Sequence, residues 1–393
     1  MPNRNARFFF ASEDEIQNGA VTDVYFLRAK QVLEARGLNQ HVRVEVVAKG
    51  FPAGYEWAVL TGLEDVLHLL EGKPVTVEGL PEGSIFKPYQ PVLSIEGRYL
   101  DFGVHETALL GFLCQASGVA TKAARCRRLT GSKPLIHFGA RRMHPAIAPM
   151  IDRSAYLGGC DGVAVVLSAE MLGIPPSGTI PHALVLLIGD TLETARAFHE
   201  VIDPTIRRVA LIDTFQDEKF EAIRLATTMG NTLWALRLDT PGSRRGNFAK
   251  LLQEVRWELD LRGFNEIKLL ASGGLDEKDL AALLPWADAF GIGTAIANAP
   301  VIDLSLDIVE IEGEPIAKRG KESGGKQIVG CSACAIESVV PARNPLPPRC
   351  ASCGIDMVKR TVPLMENGQI VPSLPTLGTI REYVLSQLAS LTS

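Results

Sequence analysis

The sequence predicts an α/β fold: an irregular, seven-strand-like α/β barrel joined to an α+β domain built from the N-terminal and post-barrel segments. Three observations carry this reading. Between residues 135 and 294, short apolar runs recur, each closed by polar residues or glycine. Stretches of helical periodicity separate those runs. Outside this region the strand-like segments alternate apolar and polar residues. Continuous apolar runs mark parallel strands buried on both faces, and alternation marks strands with one wet face.

Taken in order, residues 1–115 read as the N-terminal α+β domain. Segments 42–46, 74–79 and 91–97 alternate at period two and are punctuated by Gly and Pro. Leu63, Val66, Leu67 and Leu70 share one helical face. A long helix over 105–129 leads into the barrel region, 116–300. Apolar runs there cover 135–136, 163–167, 209–212, 233–236, 267–271 and 289–290. A short strand at 176–179 would make seven, and Ser168 would close the second run. Helices are expected over 192–202, 215–229, 247–262 and 277–284. Strands return to the first domain over 301–330, chiefly at 306–311. A cysteine module follows over 331–363. The tail, 364–393, ends in an amphipathic helix with Ile380, Val384, Leu388 and Leu391 on one face.

The chain has 393 residues, so more than one domain is expected. Apolar residues make up 46%, enough for a large core. A formal charge of −5 argues against a general nucleic-acid binder. No apolar run is long enough to span a membrane, and residues 1–15 lack the apolar core of a signal peptide. Seven cysteines without such a signal point to a reducing compartment, with the cytoplasm expected.

Cys331-Ser-Ala-Cys334 and Cys350-Ala-Ser-Cys353 are separated by fifteen residues. That spacing suits a zinc knuckle, in which each C-x-x-C turn aims two thiolates at one tetrahedral ion. Four protein ligands leave no open position, so the zinc is expected to be structural. Ser272-Gly273-Gly274 and Gly291-Ile292-Gly293-Thr294 follow the last two strands. Glycine lets backbone N–H groups approach a phosphate, and barrels often place a phosphate there. Arg141 and Arg142 follow the first strand, where a guanidinium fork can meet a carboxylate or phosphate. Asp213, with Arg237 and Asp239, stands on adjacent strand ends: the carboxylates suit ribose hydroxyls or Mg²⁺, the arginine a phosphate. His182 lies beyond Gly178-Thr179, with Pro181 at a helix start. Thr22 could cap a helix beginning near Asp23 and Tyr25.

Together, Gly19 to Tyr25, Phe138-Gly139-Ala140-Arg141-Arg142, Gly178-Thr179 with His182, Arg237-Leu238-Asp239, Ser272-Gly273-Gly274 and Gly291 to Thr294 resemble the nicotinate phosphoribosyltransferase family. The resemblance is to its archaeal-type branch, which the four-cysteine module also suits. It implies a type II phosphoribosyltransferase fold and a homodimer or larger assembly, in which Asp23 and Tyr25 of one subunit complete the neighbour's site. It implies nicotinate and phosphoribosyl pyrophosphate as substrates, with no nucleic acid or membrane partner. It further implies ATP as co-substrate through a phosphorylated histidine, for which His182 is the candidate. The Thr-Ile-Pro-His-Ala setting of His182 departs from the family's usual one, as does the Thr-Pro-Gly-Ser-Arg-Arg that follows Asp239.

On this reading Ser272, Gly273, Gly274, Gly293 and Thr294 hold the 5′-phosphate. Arg237 meets the pyrophosphate, and Asp213 and Asp239 hold ribose or Mg²⁺. Arg141 meets the nicotinate carboxylate, with Tyr25 against the ring. Two alternatives remain. One is the decarboxylating quinolinate phosphoribosyltransferase, which shares the barrel and needs a more basic pocket. The other is a non-catalytic zinc-ribbon interaction protein.

Overall fold

The computed structural model describes residues 8–344, 348–371 and 373–391. The start of the first expected domain, three residues of the cysteine module and positions 372 and 392–393 of the tail lie outside these. The chain divides into two units, one of residues 1–121 and 300–387, the other of 122–299 and 388–393.

The first unit is organised by a seven-stranded antiparallel sheet in the order Glu314–Pro315, Leu304–Ile311, His41–Ala48, Pro91–Arg98, Val75–Gly79, Val362–Glu366, Gln369–Ile370. Period-two patterning sets its faces: Val42, Val44, Val46 and Ala48 are all buried. Leu63, Val66, Leu67 and Leu70 of the helix Leu63–Leu70 join the same core. That helix starts at Gly62, whose φ is +87° and where a Cβ would lie 2.5 Å from the Phe112 carbonyl oxygen. Only glycine fits there. Within this unit Lys326–Gly330 pairs with Glu337–Pro341 and with Val358–Lys359 to form a small separate sheet.

The second unit contains a six-stranded parallel sheet in the order Gly162–Val163, Leu135–His137, Ala289–Ile292, Lys268–Ala271, Ala235–Leu238, Val209–Leu211. Its continuous apolar runs are buried on both faces; Leu211, Leu236, Leu238, Leu269, Leu270, Phe290 and Ile292 are fully enclosed. Leu225, Leu252, Val255 and Leu259 of the flanking helices cover it. Asp190, Asp217, Asn247 and Asp276 each cap the following helix through the side chain, the role their oxygen favours. Parallel strands bring every strand C-terminus to one edge of the sheet, where α/β proteins carry their ligand sites.

Three expectations are corrected. Residues 176–179 form no strand: Pro175 and Pro176 lack the N–H a ladder needs, so the sheet has six strands, not seven. The second apolar run ends as a strand at Val163, and Val166–Leu172 is a helix closed by Gly173 at φ +67°. Ser168 is therefore buried inside a helix turn, not at a strand end. Gly291 belongs to the strand Ala289–Ile292 rather than to the loop after it.

Arg125 and Arg127 are committed to structure. Arg127, buried, donates to the carbonyls of Gly159 and Gly131 at 2.7 Å and of Lys133 at 2.9 Å, and pairs with Asp161. Lys122 and Arg125 both hold Glu277.

Candidate active site

Arg237 lies at the end of the strand Ala235–Leu238 and ties four segments together. Its Nε donates to Ser272 Oγ at 2.8 Å, Nη1 to Thr179 Oγ1 at 2.7 Å and Nη2 to Asp239 Oδ1 at 2.8 Å. Ser272 Oγ in turn donates to Asp239 Oδ1 at 2.6 Å. The guanidinium sits 5.2 Å from the Phe138 ring centroid, within cation–π range. Five groups named from the sequence thus meet at adjoining strand ends. The guanidinium has five N–H donors, and two of them are left over from these contacts.

His182 opens the helix His182–Ile188 behind Pro181, and its Nε2 lies 3.2 Å from Asp213 Oδ2. The Asp213 side chain is almost fully buried, and its Oδ1 has no protein partner. A buried carboxylate oxygen in that position asks for a donor or a cation. Thr214 Oγ1, beside it, is likewise unmatched.

Glycine shapes the rest of this edge. A Cβ on Gly139 would lie 2.3 Å from the Gly293 carbonyl oxygen, and one on Gly291 2.5 Å from the Phe138 ring. The Phe138-Gly139 turn and the Gly293-Thr294 turn therefore pack backbone to backbone. Gly273 and Gly274 have φ of +88° and +68°, and a Cβ on Gly273 would strike the Asp239 carbonyl at 2.6 Å. The helix Glu277–Leu283 after Gly274 is closed by a capping box of Asp276 and Asp279. A phosphate at Gly273-Gly274 therefore depends on loop groups and neighbouring cations, not on that helix terminus.

Arg141 and Arg142 form a 3₁₀ turn with Ala140, and both are exposed. Asp23 and Tyr25 lie in the first unit. Asp23, not Thr22, is the N-cap residue of Val24–Ala35. Its backbone N–H donates to Thr107 Oγ1 at 3.1 Å, and its Oδ2 accepts from that hydroxyl at 3.0 Å. Tyr25 is exposed. Partial loss of solvent around the hydroxyl and the neighbouring Asp23 carboxylate raise its pKa. One pair was missed. His137 Nδ1 and Asp152 Oδ1 lie 2.6 Å apart, both fully buried. A histidine closing an apolar strand was the available signal.

The four sulfurs of Cys331, Cys334, Cys350 and Cys353 all lie within 4.8 Å of one another, Cys331 and Cys353 at 3.5 Å. A Zn–S distance of about 2.3 Å gives a tetrahedron with edges of about 3.8 Å. The two turns share one geometry: Cys331 N donates to Ile336 O at 2.9 Å, and Cys350 N to Ile355 O at 2.8 Å. The residue after each second cysteine is left-handed, Ala335 at φ +52° and Gly354 at φ +73°. Backbone N–H groups of Cys353 and Ser352 lower the Cys350 thiol to about 7. Donors aimed at that sulfur favour a thiolate.

Comparison with known proteins adds the family. Residues 23–117 match the quinolinate phosphoribosyl transferase N-terminal domain and residues 119–307 its C-terminal domain. The chain belongs to the quinolinate phosphoribosyltransferase family. A solved structure described as nicotinate-nucleotide pyrophosphorylase from Pyrococcus furiosus is 52% identical, with a TM-score of 0.95 over 98% of both chains. A nicotinate phosphoribosyltransferase of Mycobacterium tuberculosis is 28% identical over 345 residues, 78% of this chain and 73% of that protein. The human nicotinic acid phosphoribosyltransferase, 20% identical with a TM-score of 0.75 over 94% of each chain, shares the fold. This chain is a phosphoribosyltransferase. The sequence reading of nicotinate as the acceptor, coupled to ATP, is overturned by the two domain matches and the 52%-identical pyrophosphorylase. Among the described residues of this phosphoribosyltransferase, no helix is long and apolar enough to cross a membrane.

Proposed function

We propose that the protein transfers phosphoribose from phosphoribosyl pyrophosphate to the ring nitrogen of quinolinate, forming nicotinate mononucleotide, pyrophosphate and CO₂ for pyridine nucleotide synthesis. The match of both quinolinate phosphoribosyl transferase domains over residues 23–307 is the observation that carries this reading. The ring nitrogen forms a bond to C1 of the sugar as the C1–O bond to pyrophosphate breaks. The resulting pyridinium stabilises the electron pair left at C2 when the adjacent carboxylate departs as CO₂, and a proton then fills that position. No protein nucleophile is needed, so the site's work is positioning and charge stabilisation.

In this scheme Arg237, fixed by Ser272, Thr179 and Asp239, presents its two remaining N–H groups to the anionic leaving group. Its hold on Phe138 and Ser272 sets the spacing between the acceptor end and the phosphate end of the site. Arg141 and Arg142 supply the two cations that a pyridine dicarboxylate requires, since each carboxylate pairs best with its own guanidinium. Mg²⁺, when bound, neutralises pyrophosphate; the unmatched Asp213 Oδ1 and neighbouring Asp239 fit that ion or the ribose hydroxyls. The cysteine cluster holds a structural Zn²⁺. Homodimers in which Asp23 and Tyr25 complete a neighbouring site are part of the proposal.

The test is turnover with phosphoribosyl pyrophosphate, Mg²⁺ and either quinolinate or nicotinate, with and without ATP. Product from quinolinate without ATP is expected. Product from nicotinate and none from quinolinate would overturn the proposal.

A further inference from the structure

The segment Thr240-Pro241-Gly242-Ser243-Arg244-Arg245 leaves the strand that carries Arg237, yet takes no part in the network around it. This segment is firmly built. Thr240 is buried and donates to Glu218 Oε1 at 2.6 Å. The backbone N–H groups of Arg244 and Arg245 both donate to Pro241 O, at 2.9 and 3.1 Å. Arg245 therefore leaves the turn at a fixed point. Its Nη1 donates to Gly273 O at 2.5 Å, and its guanidinium carbon stands 4.8 Å from the centroid of the buried Phe248 ring. A ring against one face and a carbonyl on one edge hold the fork in a single orientation. Of its five N–H donors, the Gly273 carbonyl engages one.

The other charged groups beside this loop are already engaged. The Asp276–Asp279 box closes the helix that follows Gly274. Lys122 is bound to Asp276 at 2.7 Å and to Glu277 at 3.2 Å. The charge available to an anion at Ser272–Gly274 must come from elsewhere, and Arg245 is fastened to that loop's own backbone. We infer that Arg245 binds the 5′-phosphate of the sugar substrate and selects phosphorylated over unphosphorylated ribose. The inference rests on the phosphate reading of the Ser272–Gly274 loop. It does not depend on which pyridine acid is the acceptor.

The experiment is calorimetric titration of the full-length protein with ribose 5-phosphate and, separately, with pyrophosphate and Mg²⁺. Arg245→Gln should weaken ribose 5-phosphate roughly 10- to 100-fold, the range for a lost hydrogen bond to a charged group. Pyrophosphate should stay within about twofold, because Arg245 is placed at the other end of the substrate. Arg245→Lys should fall between wild type and the Gln variant, since an ammonium keeps the charge but not the fork. Arg244→Gln should change neither ligand. Thermal unfolding checks that the variants fold; should the Gln variant not fold, the selective loss in the Lys variant decides. Unchanged ribose 5-phosphate binding, an equal loss for both ligands, or no ribose 5-phosphate binding by the wild type would each overturn the inference. Absent turnover of quinolinate alongside a selective Arg245 effect would fault the acceptor assignment alone.

Discussion

Arg237 makes three hydrogen bonds to side chains, Thr179, Asp239 and Ser272, and is the group that joins Thr179 to the Ser272–Asp239 pair. The geometry depends on a planar fork. A lysine offers the charge but cannot reach three acceptors in one plane. Arg237→Lys should therefore cut kcat/KM for phosphoribosyl pyrophosphate roughly 10²- to 10³-fold, the scale of losing one preorganised donor set, with little change in melting temperature. Steady-state kinetics checks this; a loss below about tenfold would remove Arg237 from the proposed role. Much of this network was legible because polar residues at strand ends are few and their types are specific. Arg245 was harder to see. It sits several residues past its strand, and only the fold shows that it returns to Gly273. The His137–Asp152 pair was hidden for a related reason: Asp152 lies on a helix whose packing partner the sequence does not name.

Among the elements, strands were legible where an apolar run was bounded by turn residues, as at Lys268–Ala271 and Ala289–Ile292. The run at 163–167 misled because its apolarity serves two purposes. Val163 is buried in the sheet, whereas Val166 and Leu167 are 60% and 56% exposed on a helix. Apolar composition alone cannot separate these cases. The two cysteine turns were legible because ligand spacing and hairpin geometry are the same constraint. Their matching backbone makes a prediction about the metal. Elemental analysis should find one zinc per chain, and Cys334→Ser should lose it and expose the strands Lys326–Gly330 and Glu337–Pro341 to protease. Ala335→Gly should strengthen the module by about 1 kcal/mol, the cost of holding a Cβ in a left-handed conformation. Protein that keeps its protease resistance after zinc removal would contradict the structural role.

For the whole molecule, the division of the sequence into α+β and barrel regions followed from patterning, because wet-faced and fully buried strands differ in period. The substrate did not follow in the same way. Nicotinate and quinolinate differ by one carboxylate, and arginines such as Arg141 and Arg142 suit either acid. Assembly has its own test. If Asp23 and Tyr25 complete a neighbouring subunit's site, inactive Asp23→Asn and Arg237→Lys proteins should regain activity when mixed and allowed to exchange subunits. No recovery, with exchange verified by light scattering, would place each site within one chain.

Decarboxylating transfer to quinolinate is decided by incubating the protein with quinolinate labelled in its 2-carboxylate and phosphoribosyl pyrophosphate, then counting released CO₂ against nicotinate mononucleotide. One CO₂ per nucleotide, without ATP, is expected. Nucleotide formed from nicotinate, with no CO₂ released from quinolinate, would contradict it.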